Sequence, residues 1–393
     1  MLVLTPDYYK KFKCIGDKCP YTCCSGWTVI IDEDSYKKYK NSKGSYNGFL
    51  ISTIKTDKEN NHRFVMNEEG RCPHLSQENL CNIYSNLSED DMCNTCKKYP
   101  RTSYRYNNGM YEINLMASCP VVAEYFVTRK ESIEFELQEM ELPYILQNDV
   151  RYIKSDYDNE FYELVSQLRS DLIDIFQRKD LSIREKVIMS VTYSSNAQNI
   201  ISSYNMWEEK VDEIKGVINS KEYMDILNKS TEYNIVSKIK FLKEILNVQL
   251  EEDHCDKSSL NCALEYSNIC ANLQEEKSLI LEKEFSEYFK KYEHVYENFA
   301  VYLLFGNVMQ VLNHNNIEIE VLFIALSLIM LQTQCYIIWC KNNNVITEKD
   351  IEEVIYKYSR RMEHNSKKLY DILGGIKTKE FSLYDIAKMI MNN

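Results

Sequence analysis

Nine cysteines fall within the first 119 positions of this 393-residue chain, and no other feature limits its fold as strongly. They read Cys14-x4-Cys19-x3-Cys23-Cys24, then Cys72, Cys81, Cys93-x2-Cys96 and Cys119. So many thiols exceed what a core takes up as small apolar side chains. Thiolates are soft ligands, and four of them close a tetrahedral zinc or iron–sulfur centre. Close spacing lowers the entropy lost in gathering them. All nine are therefore candidate metal ligands, and their spacing leaves zinc and iron–sulfur both open. His74, two residues after Cys72, is a candidate nitrogen ligand, although a surface or hydrogen-bonding role is the commoner one for such a histidine. The opening MLVLTPDYYKKFK holds only a four-residue apolar run, not a secretory signal. The expected compartment is thus the reducing cytoplasm, where clustered cysteines signify metal or redox chemistry more often than disulfides.

Composition divides the chain. Residues 1–130 carry 18 Lys and Arg against 15 Asp and Glu, and the remainder 29 against 44. All six prolines lie at or before Pro143, and only four glycines follow it. This pattern predicts an α+β fold: a cysteine-rich, metal-binding head over 1–130 with short strands and a hairpin, then a mostly α-helical body over 131–393. The net charge of −12 argues against a nucleic-acid partner.

Within the head, 27–31 (WTVII) and 63–66 are expected strands, 35–43 a short helix, 44–61 a polar loop and 82–98 helical with a restart at Ser88. Asn107-Asn108-Gly109 between 101–106 and 110–115 is a hairpin signal, and Pro120 opens a long helix. The hairpin carries a geometric expectation. Cys96 precedes its first strand and Cys119 follows its second, so pairing should bring both, with Cys93, to one end. From about 156 the apolar period is helical: Phe161, Leu164, Leu168, Leu172 and Ile175, then Ile235, Ile239, Leu242 and Leu246. Thr347 with Asp350, and Ser382, are expected helix starts. Cys255, Cys262, Cys270, Cys335 and Cys340 are expected as buried thiols on helices. The apolar stretch 321–340 is long enough to span a bilayer. Its polar interruptions at Ser327, Gln332, Thr333 and Gln334 favour a core helix buried on all sides, so no membrane span is expected. No glycine-rich nucleotide loop, P-loop, His-Glu-x-x-His or Gly-x-Ser-x-Gly occurs.

The segment CIGDKCPYTCCSGW at 14–27 resembles the cysteine-rich proteins described as zinc- or iron-chelating. More closely, it resembles the flagellin lysine-N-methylases of the FliB type. RCPHL at 71–75, LCNIY at 80–84, CNTCKKYPR at 93–101 and LMASCP at 115–120 extend the likeness, with an echo in YENFAVYLLF at 296–305. The resemblance implies an enzyme that moves methyl groups from S-adenosylmethionine to lysine ε-amines of flagellin. It also implies an iron–sulfur cluster, of the 4Fe-4S kind, held by the head cysteines.

Such chemistry needs a neutral amine, and a lysine of pKa ~10.4 reaches that state only through desolvation or a nearby cation. Tyr99 and Arg101 are the candidate catalytic residues. Trp27 and Arg101 are the candidates for binding the donor, an aromatic face for the sulfonium and a guanidinium for the carboxylate. A non-catalytic metal- or cluster-binding protein, such as a metal chaperone, and an electron-transfer protein are the alternative readings.

Overall fold

The structure is a computed structural model. It describes all residues except 149, 154–156, 204, 230–237, 243–257, 272–274, 363–381 and 391–393. Ile235, Leu246 and Cys255 lie outside the described residues, as does the side chain of Cys262. The fold is α+β, with small sheets followed by a mostly helical body. Internal contacts divide the chain into two compact units: Met1–Ala123 with Glu134–Tyr152, and Glu124–Ile133 with Ile153–Asn393.

Among the described residues the first unit holds eight short strands: β1 (Leu2–Pro6), β2 (Ile30–Ile31), β3 (Ile54–Thr56), β4 (His62–Phe64), β5 (Arg101–Arg105), β6 (Tyr111–Leu115), β7 (Phe135–Glu139) and β8 (Arg151–Tyr152). Five form a mixed sheet in the order β7-β1-β6-β5-β8. The expected hairpin is its centre, with Arg101 opposite Leu115 and Arg105 opposite Tyr111. Its turn closes through Tyr106 N–H to Met110 C=O at 3.0 Å, with Gly109 at φ +83°, where a glycine is strain-free. The terminal strand β1 runs parallel to β6 and antiparallel to β7.

That last pairing displaces the boundary suggested by composition. Residues 135–139, assigned by sequence to the helical body, return to the head as an edge strand, tied by Lys10 to Glu136 and by Met1 N to Met140 C=O. A lone edge strand of mixed polarity has no periodic signal, so only its partner reveals it. Under this sheet lie Val3, Tyr111, Ile113, Leu142 and Leu146.

A second, three-stranded sheet, β2-β4-β3, covers another core of Val29, Ile31, Tyr39, Leu50, Phe64, Cys72, Ile83 and Cys93. Here the sequence expectations need correction. The segment 44–61 is not one loop: a helix spans Asn47–Ser52 and β3 follows, because Leu50 is an apolar anchor buried in that core. The helix expected over 82–98 is three short pieces, Asn82–Asn86, a 3-10 turn Glu89–Asp91 and Asn94–Lys98. Ser88, held extended, donates its hydroxyl to Asp91, the local competition by which serine and aspartate break helices. The strand expected over 27–31 shrinks to Ile30–Ile31.

The second unit is helical among the described residues. Asp158 caps Asn159–Gln177, and Ser182 with Glu185 forms a capping box on Ile183–Ile201. Thr347 caps onto Asp350, and Ser382 with Asp385 starts the last described helix, as expected. Ile317–Lys341 packs against Ile183–Ile201, Glu293–Asn307 and Glu348–Met362. Its apolar window is 89% buried inside the protein, the environment of a core helix. Cys270 and Cys335 are buried and Cys340 half-buried.

Candidate functional site

The thiol-rich part of the first unit is the candidate site, and short backbone links build it. Cys72 N–H donates to Cys24 C=O at 2.7 Å, Ser25 bridges to Arg71, and Leu75 bridges to Cys81. Cys93 caps the helix Asn94–Lys98, so Cys96 lies one turn on, with the two sulfurs 3.6 Å apart. Asp32 fixes this turn to the second sheet by accepting from Asn94 N–H at 2.8 Å and Ser35 N–H at 3.0 Å. Burial opposes the Asp32 charge, but these N–H donors outweigh it and the carboxyl sits below its ordinary range. Thr95 adds a bond to Ile30 C=O at 2.7 Å. Neither Asp32 nor Thr95 stood out in the sequence, where nothing links positions so far apart.

The environment of the thiols is apolar. Burial pushes Cys72 up to about 12 and Cys119 up to about 11, and raises Cys81. Cys93 is lowered chiefly by the hydrogen bond from Cys96, and the same contact raises Cys96. Their mutual contact thus pushes the two thiols in opposite directions. None of the nine is in a disulfide.

His74 is not a ligand. It is fully buried, its Nδ1 lies 2.6 Å from the Tyr46 hydroxyl and its Nε2 2.8 Å from Thr53 Oγ1, so both ring nitrogens are occupied. By donor type the remaining set suits zinc or iron–sulfur. Among the described residues, though, no three His, Cys, Asp or Glu side chains already share one metal-binding point.

Trp27 and Tyr99 come together, with ring centroids 5.5 Å apart and planes inclined by 49°. The Trp27 indole N–H donates to Cys23 C=O, and the Tyr99 hydroxyl lies 3.2 Å from Ser118 Oγ, across the base of the hairpin. The hairpin base thus joins 99 to 118. Cys119, however, has Cys19 and Cys14 as its strongest thiol neighbours, while Cys96 has Cys93, Cys24 and Cys72. The half-buried Arg101 guanidinium lies over the Phe12 ring at 5.2 Å and has no carboxylate partner among the described residues. Phe12 is a further residue the sequence did not single out.

In the second unit, the segment 296–305 carries buried polar anchors. Glu297 takes both Lys186 and Lys179 at 2.5 Å, and Asn298 donates to Phe126 C=O and Arg129 C=O. These bonds secure 124–133 to the helix Glu293–Asn307, which gives the sequence echo a structural meaning.

A reduced, thiol-lined α+β unit followed by a helical unit defines the class: a cysteine-centred protein built on two compact units. Comparison with known proteins narrows this. Residues 169–391, more than half of the chain, match the model of the FliB lysine N-methylase C-terminal domain. The chain belongs to the FliB lysine N-methylase family. It is similar to "Lysine-N-methylase" of Salmonella typhimurium (strain LT2), 31% identical over 129 residues, which cover 30% of this chain and 31% of that protein. "Flagellar biosynthetic protein FliU" of Salmonella muenchen is 31% identical over 129 residues, covering 30% of this chain and 73% of that protein. The "Lysine-N-methylase" of Salmonella choleraesuis matches over 129 residues at the same 31% identity, again covering 31% of its length. The match therefore spans about a third of the lysine N-methylases' own length. No solved structure matches.

Proposed function

We propose that this chain is a cytoplasmic protein lysine N-methyltransferase. It moves the methyl group of S-adenosylmethionine to lysine ε-amines of flagellin and carries an iron–sulfur cluster on head cysteines. The observation that carries the reading is family membership through residues 169–391, joined to the likeness with proteins named for lysine methylation and, in one case, for the flagellum. What such a cluster supplies when bound is a Lewis-acidic iron centre, with its ligands among the thiols Cys14, Cys19, Cys23, Cys24, Cys72, Cys81, Cys93, Cys96 and Cys119.

In this reading the chain's own residues do the binding and orienting. Arg101, whose guanidinium rests on Phe12 with no acidic partner among the described residues, takes the donor carboxylate as a bidentate pair. The inclined Trp27–Tyr99 pair offers π faces to a sulfonium or ammonium cation. The Arg101 charge also disfavours the protonated form of an incoming lysine. The neutral nitrogen attacks the methyl carbon and an N–C bond forms. The C–S bond breaks with its electron pair kept by sulfur, which leaves as a thioether, and the new ammonium returns its proton to water.

The test is incubation of the anaerobically prepared chain with methyl-labelled S-adenosylmethionine and flagellin, followed by peptide mapping. Label on lysine is expected. No label, with metal retained, would replace the reading by that of a metal-binding protein. A reversible redox wave without transfer would replace it by electron transfer.

A further inference from the structure

β7 is the outermost strand of the five-stranded sheet, and among the described residues no strand lies on its other side. Its bonds to β1 fix which backbone groups are left over. The Met1 ammonium donates to Met140 C=O and Met140 N–H to Met1 C=O, each at 3.0 Å, and Asp7 N–H donates to Glu134 C=O at 2.9 Å. Bonded and non-bonded pairs alternate along an antiparallel ladder. Glu136 and Gln138 therefore turn to β1, while Phe135, Leu137 and Glu139 turn their N–H and C=O groups outward. That edge is open: Leu137 is 53% exposed, Glu139 is exposed, and Leu2, 40% exposed, stands opposite Glu139 on the same face.

Natural sheet edges are blunted by lysine, proline or a bulge, and the strand FELQE, in unbroken register with β1, has none of these. What surrounds it is acid. Glu134, Glu136, Glu139 and Glu141 are all exposed, and positions 131–150 hold no Lys or Arg, although Lys10 reaches across to Glu136. A second copy of this strand would bring glutamates against glutamates, so the edge disfavours pairing with itself. We propose that this edge is the docking strand for the protein substrate. An extended, lysine-bearing segment adds to the sheet beside Phe135–Glu139, its backbone bonded to Phe135, Leu137 and Glu139 and its lysines among the glutamates. An apolar residue of that segment lies beside Leu137.

The identity of the occupant as substrate rests on the methyltransferase reading above, whereas the strand addition rests on the edge alone. Strands β7, β1 and β6 lie between a docked segment and β5, which Arg101 opens, a span of ~19 Å across the sheet. An extended chain covers ~3.3 Å per residue, so with the donor held by Arg101 the methylated lysine lies about six residues outside the docked part. The docked lysines hold the substrate and are not the ones methylated.

The test uses the full-length chain without methyl donor and a fluorescent peptide of alternating valine and lysine, with binding followed by anisotropy and by backbone amide exchange. The peptide should bind and slow exchange at Phe135, Leu137 and Glu139, whose amides are otherwise open to water. Leu137→Pro removes an outward N–H without taking a bond from β1, a position where edge strands tolerate proline, and should weaken binding about tenfold. Glu139→Lys leaves the backbone unchanged and should weaken it about threefold or more at low salt. A peptide methylated on its backbone nitrogens keeps the lysine charges but not the donors, and should also bind about tenfold more weakly. Equal binding of that peptide, protection confined to other segments, or unaltered binding by both variants would each overturn the proposal. So would flagellin that becomes labelled without displacing the peptide. Unlabelled flagellin with the peptide still bound at this edge would sustain the strand addition and overturn the methyltransferase reading instead.

Discussion

The two units bury different polar groups: paired charges in the helical unit, thiols in the head. The helical unit matches its buried charges internally. Lys186, fully buried, meets Glu297 at 2.5 Å, Asp171 takes Lys215 at 3.0 Å and Tyr193 at 2.7 Å, and Glu320 takes His314 at 2.8 Å. The head instead gathers thiols whose protons burial makes hard to remove, and leaves the Tyr39 hydroxyl without an acceptor among the described residues. The helical unit pairs these charges internally, while the Tyr296, Tyr336, Ser286 and Ser359 hydroxyls and the Trp339 indole N–H are buried there without hydrogen-bond partners among the described residues. The head concentrates its nine cysteines where burial raises Cys72, Cys81 and Cys119.

The comparison breaks most visibly if the head does not depend on metal. Anaerobic chelation should strip protection from backbone amides over 24–96 while 159–201 and 293–341 keep theirs, as followed by hydrogen exchange. Uniform loss, or no loss, contradicts the contrast.

The next largest effect concerns the buried ion pair of the helical unit. Glu297→Ala leaves Lys186 buried without its counter-charge, and the expected cost is about 3–5 kcal/mol in urea unfolding followed by helicity. Metal content should not change. A cost under about 1 kcal/mol would mean that Lys186 simply neutralises or finds water.

Smaller again is the effect at the proposed donor site. Arg101→Lys keeps the charge but not the planar fork, so methyl transfer should fall about tenfold, on the order of 1.4 kcal/mol in the barrier, with fold and metal intact. Loss of metal as well would make Arg101 a structural residue, and full activity would remove it from the site.

The last concerns pH and lies in the helical unit. Burial, with Glu124 and Glu348 nearby, raises Glu352 from an ordinary 4.5 to about 7. Between those values the folded chain holds a proton the unfolded chain has released. The resulting stability is full below 4.5 and is lost as pH rises through about 7. Glu352→Gln should flatten that slope in thermal unfolding, and an unchanged slope would assign it to other groups.

Legibility in the sequence followed the range of the forces involved. The hairpin was readable because Asn107-Asn108-Gly109 and its flanking strands are local. So was Ile317–Lys341 as a core helix, since its all-round apolarity needs no partner to interpret. The candidate residues were readable as types: thiols for metal, an arginine for a carboxylate, aromatic rings for a cation. Strand β7, the helix Asn47–Ser52 and the Phe12–Arg101 contact were not, because each exists only through a neighbour remote in sequence.

The sequence by itself therefore determined the α+β character and the helical body, both set by local periodicity and side-chain type. Which thiols belong together was decided by tertiary structure alone. Cys24 is adjacent in sequence to Cys23 and close to Cys19, yet its links run to Cys72, Cys81 and Cys96, while Cys119 has Cys14 and Cys19 as its neighbours. Spacing sets the entropy of bringing two donors together, but the packing of Val29, Tyr39, Leu50 and Phe64 fixes which of them share a core.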